Sequence, residues 1–461
     1  MRCRHLLLCA LPLVLASCTY EDATDEAAST PPPATASEQA GDDISVPDAG
    51  EIAYEPSALE QMRRDASWRA AAERDRAARV QAAQPQGQAP VAVGVDPGLN
   101  TGLEPPASPA PVGGAAGGES FDQISPQALA GEPRLPIASD GGGPTVLRTQ
   151  ILLDRARLSP GAIDGNWGQN TAKAIYWFQD AHGLPTTGEV DRATWDALAR
   201  RAGGATEPLR RLRLTAEDLR GPFLDLPEDV YARAELDCLC YESPLEMLAE
   251  RSHSTPDLLR KLNPQVDFDR LQAGQEVWVP NVTEVPLGQL AQQTGQQPNQ
   301  AARPAAAQGQ SAAGASGPAQ GAAPVAALVI SKRGSYVHAL DAQGRLLFHF
   351  PSTLGSRYDP SPEEGSYKVT GIHPRPDFHY QPKLFADVPD TKKDVFLPPG
   401  PNSPVGLVWM QLSKPNNGIH GTAVPETIGY ASSHGCVRLT NWDAVYLSER
   451  IPKGVQVRFV E

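Results

Sequence analysis

A cysteine and a histidine near the end of the chain have the spacing of a nucleophile and its base. His420 lies in the stretch GIHGT at residues 418–422, and Cys436 lies in SSHGCVR at residues 432–438. A free thiol with a pKa of about 8.5 is only slightly ionised at neutral pH, so a cysteine nucleophile needs a neighbouring base. Backbone N–H groups at Gly435 and Cys436 can bind a developing oxyanion, since glycine permits close approach. These residues predict a catalytic Cys–His pair, and a buried, unreactive cysteine is the alternative.

The first residues of the chain predict export. Residues 1–5 read MRCRH, residues 6–16 form an apolar run, and Ser17 precedes Cys18. This order is typical of a secretory signal peptide, which we expect over residues 1–17. The tetrapeptide LASC at 15–18 resembles the lipobox of bacterial lipoproteins, which implies a diacylglycerol on Cys18. A short membrane anchor and an ordinary cleaved signal are the alternatives.

The lipobox resemblance also implies a location. It implies a periplasmic protein of a Gram-negative bacterium, held to the membrane by lipid on Cys18. Thr19 is not the aspartate that retains many enterobacterial lipoproteins at the inner membrane, so the outer membrane is favoured. Several acyl chains make a durable anchor, because each buried CH₂ contributes about 0.8 kcal/mol.

The remaining cysteines then lie in an oxidising compartment. Three of the six are left in the mature chain: Cys238, Cys240 and Cys436. An extended Cys-Leu-Cys segment puts both thiols on one face, which allows either a bridge between Cys238 and Cys240 or two small buried hydrophobes. A metal site using His253 lacks a fourth ligand at suitable spacing. Cys436 has no obvious partner.

Composition divides the 461 residues unevenly. The chain has 41 Gly and 45 Pro and only 6% aromatic residues, so compact cores occupy part of it. A formal net charge of −14 argues against electrostatic nucleic-acid binding. No apolar stretch approaches the roughly 20 residues needed to span a bilayer, which excludes a polytopic membrane protein.

Two segments are predicted to be flexible. Residues 18–145 consist mostly of Ala, Pro, Gly, Ser and acids and predict a disordered tether. Within it, residues 57–84 lack Gly and Pro and predict a helix. The apolar face of this helix is too thin for a core, so we expect it to be solvated. Residues 283–324, rich in Gln, Ala, Gly and Pro, predict a second linker.

Residues 146–202 predict a compact three-helix unit. The second helical segment follows the motif DGNWG at 164–168 and contains the pair Phe178-Gln179. The third follows GEVD at 188–191. In these motifs the unit resembles the peptidoglycan-binding domain of bacterial cell-wall hydrolases. The resemblance implies a groove for glycan or stem peptide. A generic three-helix bundle is the alternative.

Residues 236–282, after a connector at 203–235, predict a small α+β module. The stretches ESP at 242–244 and STP at 254–256 start two helices, and VWVP at 277–280 ends the module as a strand. The module is similar to LysM modules, βααβ units that bind N-acetylglucosamine chains. The usual Gly-Asp-Ser/Thr turn is replaced here by residues 242–244, so a purely structural spacer is an alternative.

Residues 325–461 predict a β-rich domain. Segments at 327–330, 336–340 and 345–350 predict strands of a meander, and residues 365–369 predict a further strand after a turn. A proline-rich loop from 374 to 404 follows, and its part up to Pro398 is a candidate lid carrying Tyr380, Phe385 and Phe396. A surface insertion is the alternative. The histidines lack ligand spacing, so no metal or other cofactor is expected; they are His338, His349, His373 and His379.

The two motifs around His420 and Cys436, with PGPNSPVG at 399–406, resemble the YkuD-type L,D-transpeptidase domain over about residues 325–461. The resemblance implies Cys436 as nucleophile and His420 as proton acceptor and donor. The carbonyl of Gly421 would orient the imidazole, as the third member of a triad does.

Four further residues take roles from the same resemblance. Ser433, His434 and Gly435 would shape the pocket and the oxyanion site. Arg438 would steady the catalytic loop or meet a substrate carboxylate. The predicted fold class is multidomain α+β: a three-helix peptidoglycan-binding domain, a small LysM-like βααβ module and a C-terminal β-rich YkuD-type sandwich.

The implied reaction consists of two acyl transfers. The thiolate of Cys436 attacks the carbonyl at the L-centre of the diamino acid in position three of a stem tetrapeptide, D-Ala leaves, and a thioester remains. An amine of another stem then forms a 3–3 cross-link, although the acceptor is left open. If water attacks instead, the enzyme is a carboxypeptidase or endopeptidase. A non-catalytic tether between outer membrane and cell wall is a third reading. We expect a monomer whose partners are peptidoglycan and membrane, without nucleic acid.

Overall fold

A computed structural model describes residues 68–82, 119–137, 141–204, 207–283, 285, 287, 323–356, 360–382 and 393–461. All of these residues fall within one compact unit. The predicted signal peptide, Cys18 and most of both predicted linkers lie outside the described residues. In the described ranges no helix has the length and apolar character needed to cross a membrane.

The N-terminal described part is helical. Its helices are α1 (Trp68–Ala82), α2 (Pro126–Leu129), α3 (Pro144–Arg155), α4 (Gln169–Ala181) and α5 (Arg192–Arg201). Helices α3 to α5 are the three that the sequence predicts. Asp191 caps α5, where its carboxylate accepts the Thr194 backbone N–H at 2.7 Å. Trp177 and Phe178 on α4 are fully buried, and the Trp177 ring meets Tyr336 and His338 of the C-terminal domain edge to face, at 5.4 and 4.6 Å.

Helix α1 packs against the rest of the protein, so the prediction of a solvated helix is wrong. Trp68 is only 3% exposed, and its ring meets Tyr176 of α4 edge to face at 5.7 Å. Asp75 accepts a hydrogen bond from the Tyr336 hydroxyl. A thin apolar face is enough here because one large aromatic ring and two buried alanines fit an existing surface.

The segment from Glu119 to Ile137 also differs from the predicted disordered tether. Ile124 and Leu129 are buried against α3, and Glu119 accepts the Thr145 backbone N–H at 2.7 Å. The helical unit therefore begins before residue 146. The low-complexity composition around this segment hides a few well-spaced apolar residues that are sufficient to dock it.

The second part has the order β1 (Leu209–Arg213), α6 (Val230–Ala234), α7 (Pro244–Arg251), α8 (Pro256–Leu262) and β2 (Glu276–Pro280). Strands β1 and β2 pair antiparallel, with Leu209 opposite Pro280. Strand β1 lies in the predicted connector, so the boundary at residue 236 is wrong. The sequence LRRLR of β1 is half-exposed and charged, and nothing in it signals a partner strand dozens of residues away.

The two cysteines of the Cys-Leu-Cys segment form a disulfide. The Cα atoms of Cys238 and Cys240 are 5.2 Å apart, within the usual range for a bridge. Between them, Leu239 donates its N–H to the Pro399 carbonyl at 3.2 Å and accepts the Asn402 N–H at 3.0 Å. The bridged segment therefore contacts the PGPNSPVG loop of the C-terminal domain.

The C-terminal domain is the predicted β-rich sandwich. Its strands are β3 (Ala327–Ser331), β4 (Tyr336–Leu340), β5 (Leu346–Pro351), β6 (Leu354–Gly355), β7 (Gly365–Pro374), β8 (Phe378–Tyr380), β9 (Val395–Leu397), β10 (Val408–Leu412), β11 (Gly418–His420), β12 (Ser432–Ser433), β13 (Val437–Arg438) and β14 (Gln456–Val460), with helix α9 (Asn441–Ser448) before β14. The main sheet has the order β13-β11-β10-β7-β14-β3-β4-β5. Its long strand β7 pairs first with β14 and then with β10, so one strand serves both halves.

The three parts contact one another through buried polar groups. The Ser159 hydroxyl donates to Asp443 of α9 at 2.7 Å, and the Nδ1 atom of His253 lies 2.7 Å from Asp154. The predicted strand histidines His338 and His349 hydrogen-bond each other at 3.0 Å and are buried under α4. His338 also meets the Trp177 ring edge to face at 4.6 Å, and the His349 carbonyl accepts the Ser159 backbone N–H at 2.8 Å, so both histidines contact the helical unit.

Candidate active site

Two adjacent parallel strands bring His420 and Cys436 together. Strand β11 ends at His420, and β13 begins immediately after Cys436, with His420 opposite Arg438. Both side chains line one cavity of about 700 Å³. Because parallel neighbours are in register here, sixteen residues of separation along the chain become one shared site.

The His420 imidazole is held as a neutral base. Its Nδ1 atom lies 2.7 Å from the Gly421 carbonyl oxygen, which can only accept, so Nδ1 carries the proton and Nε2 keeps its lone pair. The ring stacks on Trp409 of β10, with centroids 5.3 Å apart. Burial lowers the pKa of His420 to about 3, and the charge of Arg438 adds to this. The predicted role of Gly421 fits this geometry.

The surroundings of the Cys436 sulfur favour the protonated thiol, because burial raises its pKa. Cys436 is a free, half-buried cysteine whose Sγ receives the Gly418 backbone N–H and lies 3.8 Å from the Asn416 carbonyl oxygen. Burial raises the pKa of the thiol, although Gly418 and Arg438 oppose that change. Desolvation therefore outweighs the neighbouring positive charge in setting the pKa of this thiol.

The residues before Cys436 shape its backbone. Ser433 is buried, and its hydroxyl donates to the Cys436 carbonyl at 2.6 Å. Gly435 has φ = +98°, a conformation that glycine adopts without a steric penalty. His434 lines the cavity beside them. Ser433 thus fixes the nucleophile's turn, while Gly435 permits it.

Arg438 steadies the same turn. Its backbone exchanges two hydrogen bonds with Thr353, at 2.9 and 3.0 Å, and the residue is only 7% exposed. Its guanidinium lies near enough to affect the pKa of both His420 and Cys436. The two roles that the sequence suggests for its side chain both stay predictions.

Asn441 at the start of α9 is a residue that sequence reasoning missed. Its amide oxygen accepts the Leu407 N–H at 3.0 Å, and its amide nitrogen donates to the Pro401 carbonyl at 3.1 Å. The same oxygen touches the position that a β-carbon on Gly421 would occupy. Asn441 therefore ties the PGPNSPVG loop to the turn after His420. The two glycines of these motifs, Gly406 and Gly421, were the available signal.

The candidate lid is a hairpin that walls the cavity. Strands β8 and β9 pair with Phe378 opposite Leu397, and His379 lines the cavity. Tyr380 is buried and faces Tyr231 of α6, so it anchors the hairpin. Phe396 is 53% exposed, while Phe385 lies outside the described residues. In the described ranges no group of three or more His, Cys, Asp or Glu is arranged to hold a metal ion.

Two family models match the chain. Residues 326–458 match YkuD, described as the L,D-transpeptidase catalytic domain, and residues 142–198 match PG_binding_1, described as "Putative peptidoglycan binding domain". The C-terminal domain is of the YkuD type. Both resemblances seen in the sequence are confirmed, while the lipobox and the LysM-like module stay predictions.

Relatives of the YkuD-type domain carry the corresponding name. "Putative L,D-transpeptidase YkuD" of Bacillus licheniformis is 46% identical over 59 residues, which cover 13% of this chain and 36% of that protein. "Probable L,D-transpeptidase YbiS" of Escherichia coli K12 is 42% identical over 65 residues, covering 14% and 21%. The chain thus spans about a third or less of the length of these relatives. A solved L,D-transpeptidase from Xylanimonas cellulosilytica aligns at 14% identity and a TM-score of 0.28, over 72% of this chain and 99% of that one.

Proposed function

We propose that the chain is an L,D-transpeptidase that cross-links peptidoglycan stem peptides. The observation that carries the proposal is the shared cavity of His420 and Cys436, in which a neutral imidazole stands beside a thiol. The family match over residues 326–458 supports the reaction class, and the match over residues 142–198 supports peptidoglycan as the partner.

Acylation begins from the neutral pair. The Nε2 atom of His420 removes the thiol proton as the Cys436 sulfur attacks the carbonyl at the L-centre of the third residue of a stem tetrapeptide. Backbone N–H groups at the Gly435 turn and the charge of Arg438 stabilise the oxyanion. The imidazolium then protonates the departing amine of D-Ala, the carbon–nitrogen bond breaks, and a thioester remains.

In deacylation the proton passes from the attacking amine to His420 and then to the Cys436 sulfur. An amine of a second stem attacks the thioester, His420 accepts its proton, and the Cys436 sulfur leaves and is reprotonated. The product is a 3–3 cross-link. The Gly421 carbonyl supports this cycle, because it accepts from Nδ1–H in both protonation states of the ring.

We propose in addition that the protein is a monomer in the periplasm, anchored at the outer membrane through lipid on Cys18. The lipobox-like stretch at residues 15–18 supports the anchor. Radiolabelled palmitate should appear in the full chain and be lost in Cys18→Ala. A Cys18→Ala chain that still takes up palmitate would contradict this proposal.

The catalytic proposal is tested by incubating the full chain with disaccharide tetrapeptide and following both protein mass and muropeptides. We expect an acyl adduct on Cys436 and 3–3 dimers, both lost in Cys436→Ala. Tripeptides without dimers would select the hydrolase. Absence of adduct, trimming and dimers would leave only the tether reading.

A further inference from the structure

Arg375 is a second guanidinium in the active-site cavity. It lies at the turn between β7 and β8 with φ = +48°, and its backbone N–H donates to the Leu407 carbonyl at 2.8 Å. Its side chain lines the cavity that also holds His420 and Cys436. The turn is thus fixed to the same loop that Asn441 holds, so the position of Arg375 relative to the nucleophile is defined.

The charge of Arg375 has no counterpart within the described residues. Its Nε atom is buried and makes no hydrogen bond there, and its guanidinium forms no salt bridge with a described carboxylate. Burial alone lowers the pKa of Arg375, since no neighbouring acid opposes it. Asp377 is the one carboxylate among the described lining residues, and it is exposed. Burying an unpaired guanidinium costs free energy, and a bound anion would offset that cost.

Arg438 is the contrasting case. It is almost fully buried, its backbone is bound to Thr353, and its charge acts on His420 and Cys436. That placement suits a residue that serves the reacting groups. Arg375 is half-buried and lines the same cavity as the hairpin residues Phe378 and His379, where a ligand can reach it.

We propose that Arg375 binds a free carboxylate of the donor stem peptide while the peptide's reactive carbonyl lies at Cys436. A guanidinium presents paired N–H donors that match the two oxygens of a carboxylate, which makes it a receptor for that group. This inference rests on the proposed function, because it concerns the peptide that the cavity takes. It assigns to Arg375 the carboxylate contact that the sequence offered to Arg438.

The test uses the acidic donor tetrapeptide and a set of peptides in which one free carboxylate is replaced by its amide. Each free carboxylate of the peptide is amidated in turn, and kcat and KM are measured for the wild type, Arg375→Gln and Arg375→Lys. We expect Arg375→Gln to raise KM for the acidic peptide about 10- to 100-fold with little change in kcat. For one amidated peptide, KM should be the same in wild type and variant. Arg375→Lys should lie between them.

The matched control is Arg333→Gln. Arg333 is an exposed arginine of the same domain, paired with Glu461 at 3.1 Å and remote from the cavity lining, so its loss should change neither constant. If Arg375→Gln weakens the acidic peptide and all amidated peptides equally, or weakens none, the proposal is wrong. Melting curves of each variant separate a folding defect from lost binding.

A binding measurement separates this inference from the proposed function. In a Cys436→Ala background, peptide dissociation constants are measured by calorimetry with and without Arg375→Gln. If the wild type turns over no peptide but Arg375 still discriminates acid from amide in binding, the function fails and the subsite stands. If the wild type turns over the peptides but Arg375 does not discriminate acid from amide in the kinetics or in binding, the carboxylate subsite is wrong and the proposed function stands.

Discussion

The side-chain oxygen of Asn441 occupies the space into which a β-carbon on Gly421 would project. Asn441 stays there because both ends of its amide are engaged, by Leu407 and by Pro401. The peptide that follows His420 is therefore clamped between a helix start and a loop. Its carbonyl points at Nδ1 of the imidazole, which sets the tautomer that the reaction needs.

Gly421→Ala should abolish most activity without unfolding the chain. The added methyl pushes Asn441 aside, so the Gly421 carbonyl loses its direction toward His420. We expect the rate of carbapenem acylation of Cys436, followed by intact mass, to fall about 100-fold or more, corresponding to loss of one to two buried hydrogen bonds. Gly131→Ala is the control, because a β-carbon there meets only ordinary contacts. Equal rates in both variants would refute the clamp.

The neutral resting pair predicts a specific pattern of alkylation. Iodoacetamide needs the thiolate, so at pH 7 it should react with Cys436 more slowly than with a small-molecule thiol, and the rate should climb above pH 9. His420→Gln should leave this pH profile nearly unchanged while carbapenem acylation is lost. If His420→Gln instead slows alkylation at pH 7 by tenfold or more, the resting pair is a thiolate and an imidazolium.

Asp443 makes stability fall as pH rises. Burial raises the pKa of Asp443 to about 8, and the nearby Asp154 adds to this, so the folded state keeps a proton that the unfolded state releases near pH 4. Its contribution to stability is complete below about pH 4 and is lost as pH rises toward 8. Asp443→Asn should reduce the slope of unfolding free energy between pH 5 and 7.5 by up to about 1.4 kcal/mol per pH unit.

The measurement for Asp443 is urea unfolding at several pH values. Asp257→Asn, an exposed aspartate on α8, should leave the slope as in the wild type. Other buried groups titrate in both proteins, so only the difference between them reports on Asp443. The same slope in Asp443→Asn and wild type would show that this carboxyl is ionised in the folded protein.

The disulfide between Cys238 and Cys240 should matter more for the position of the PGPNSPVG loop than for the stability of the whole chain. It closes a loop of only three residues, which the chain-entropy model values at about 1–2 kcal/mol. Leu239 within it holds Pro399 and Asn402, and a β-carbon on Gly400 would meet the Leu239 carbonyl. We expect Cys238→Ala/Cys240→Ala to unfold at slightly lower urea concentration and to acylate several-fold more slowly. Unchanged acylation would show that the bridge does not act on the loop.

The sequence predicts the reacting residues well because their motifs are local. Gly421 adjoins His420, and Gly435 adjoins Cys436, so short stretches contain each group with the backbone that serves it. The contacts of Trp409, Asn416 and Asn441 are not local. Trp409 meets His420 only through the antiparallel register of β10 and β11, which a single sequence does not specify.

The charge state of Cys436 and the contacts between domains could not be predicted from the sequence, for related reasons. Whether the Cys436 sulfur is ionised depends on how far the fold removes it from water, and neighbouring residue types do not determine that. Strand β1 was missed because its partner is dozens of residues away. The helices α3 to α5 were predictable, because apolar spacing and a cap such as Asp191 act within one element.

Helix α1 should be released by Trp68→Ala. Trp68 is the one large apolar side chain described on this helix that is buried against α4, so its loss should weaken docking by on the order of 3 kcal/mol. Trypsin should then cut after Arg69, Arg74 or Arg76 at rates more than tenfold above those of the wild type. Glu73→Ala, a change at an exposed position of α1, is the control and should keep the wild-type digestion rate. Rapid cleavage of the wild type at these arginines would show instead that the helix is solvated, as its composition first suggested.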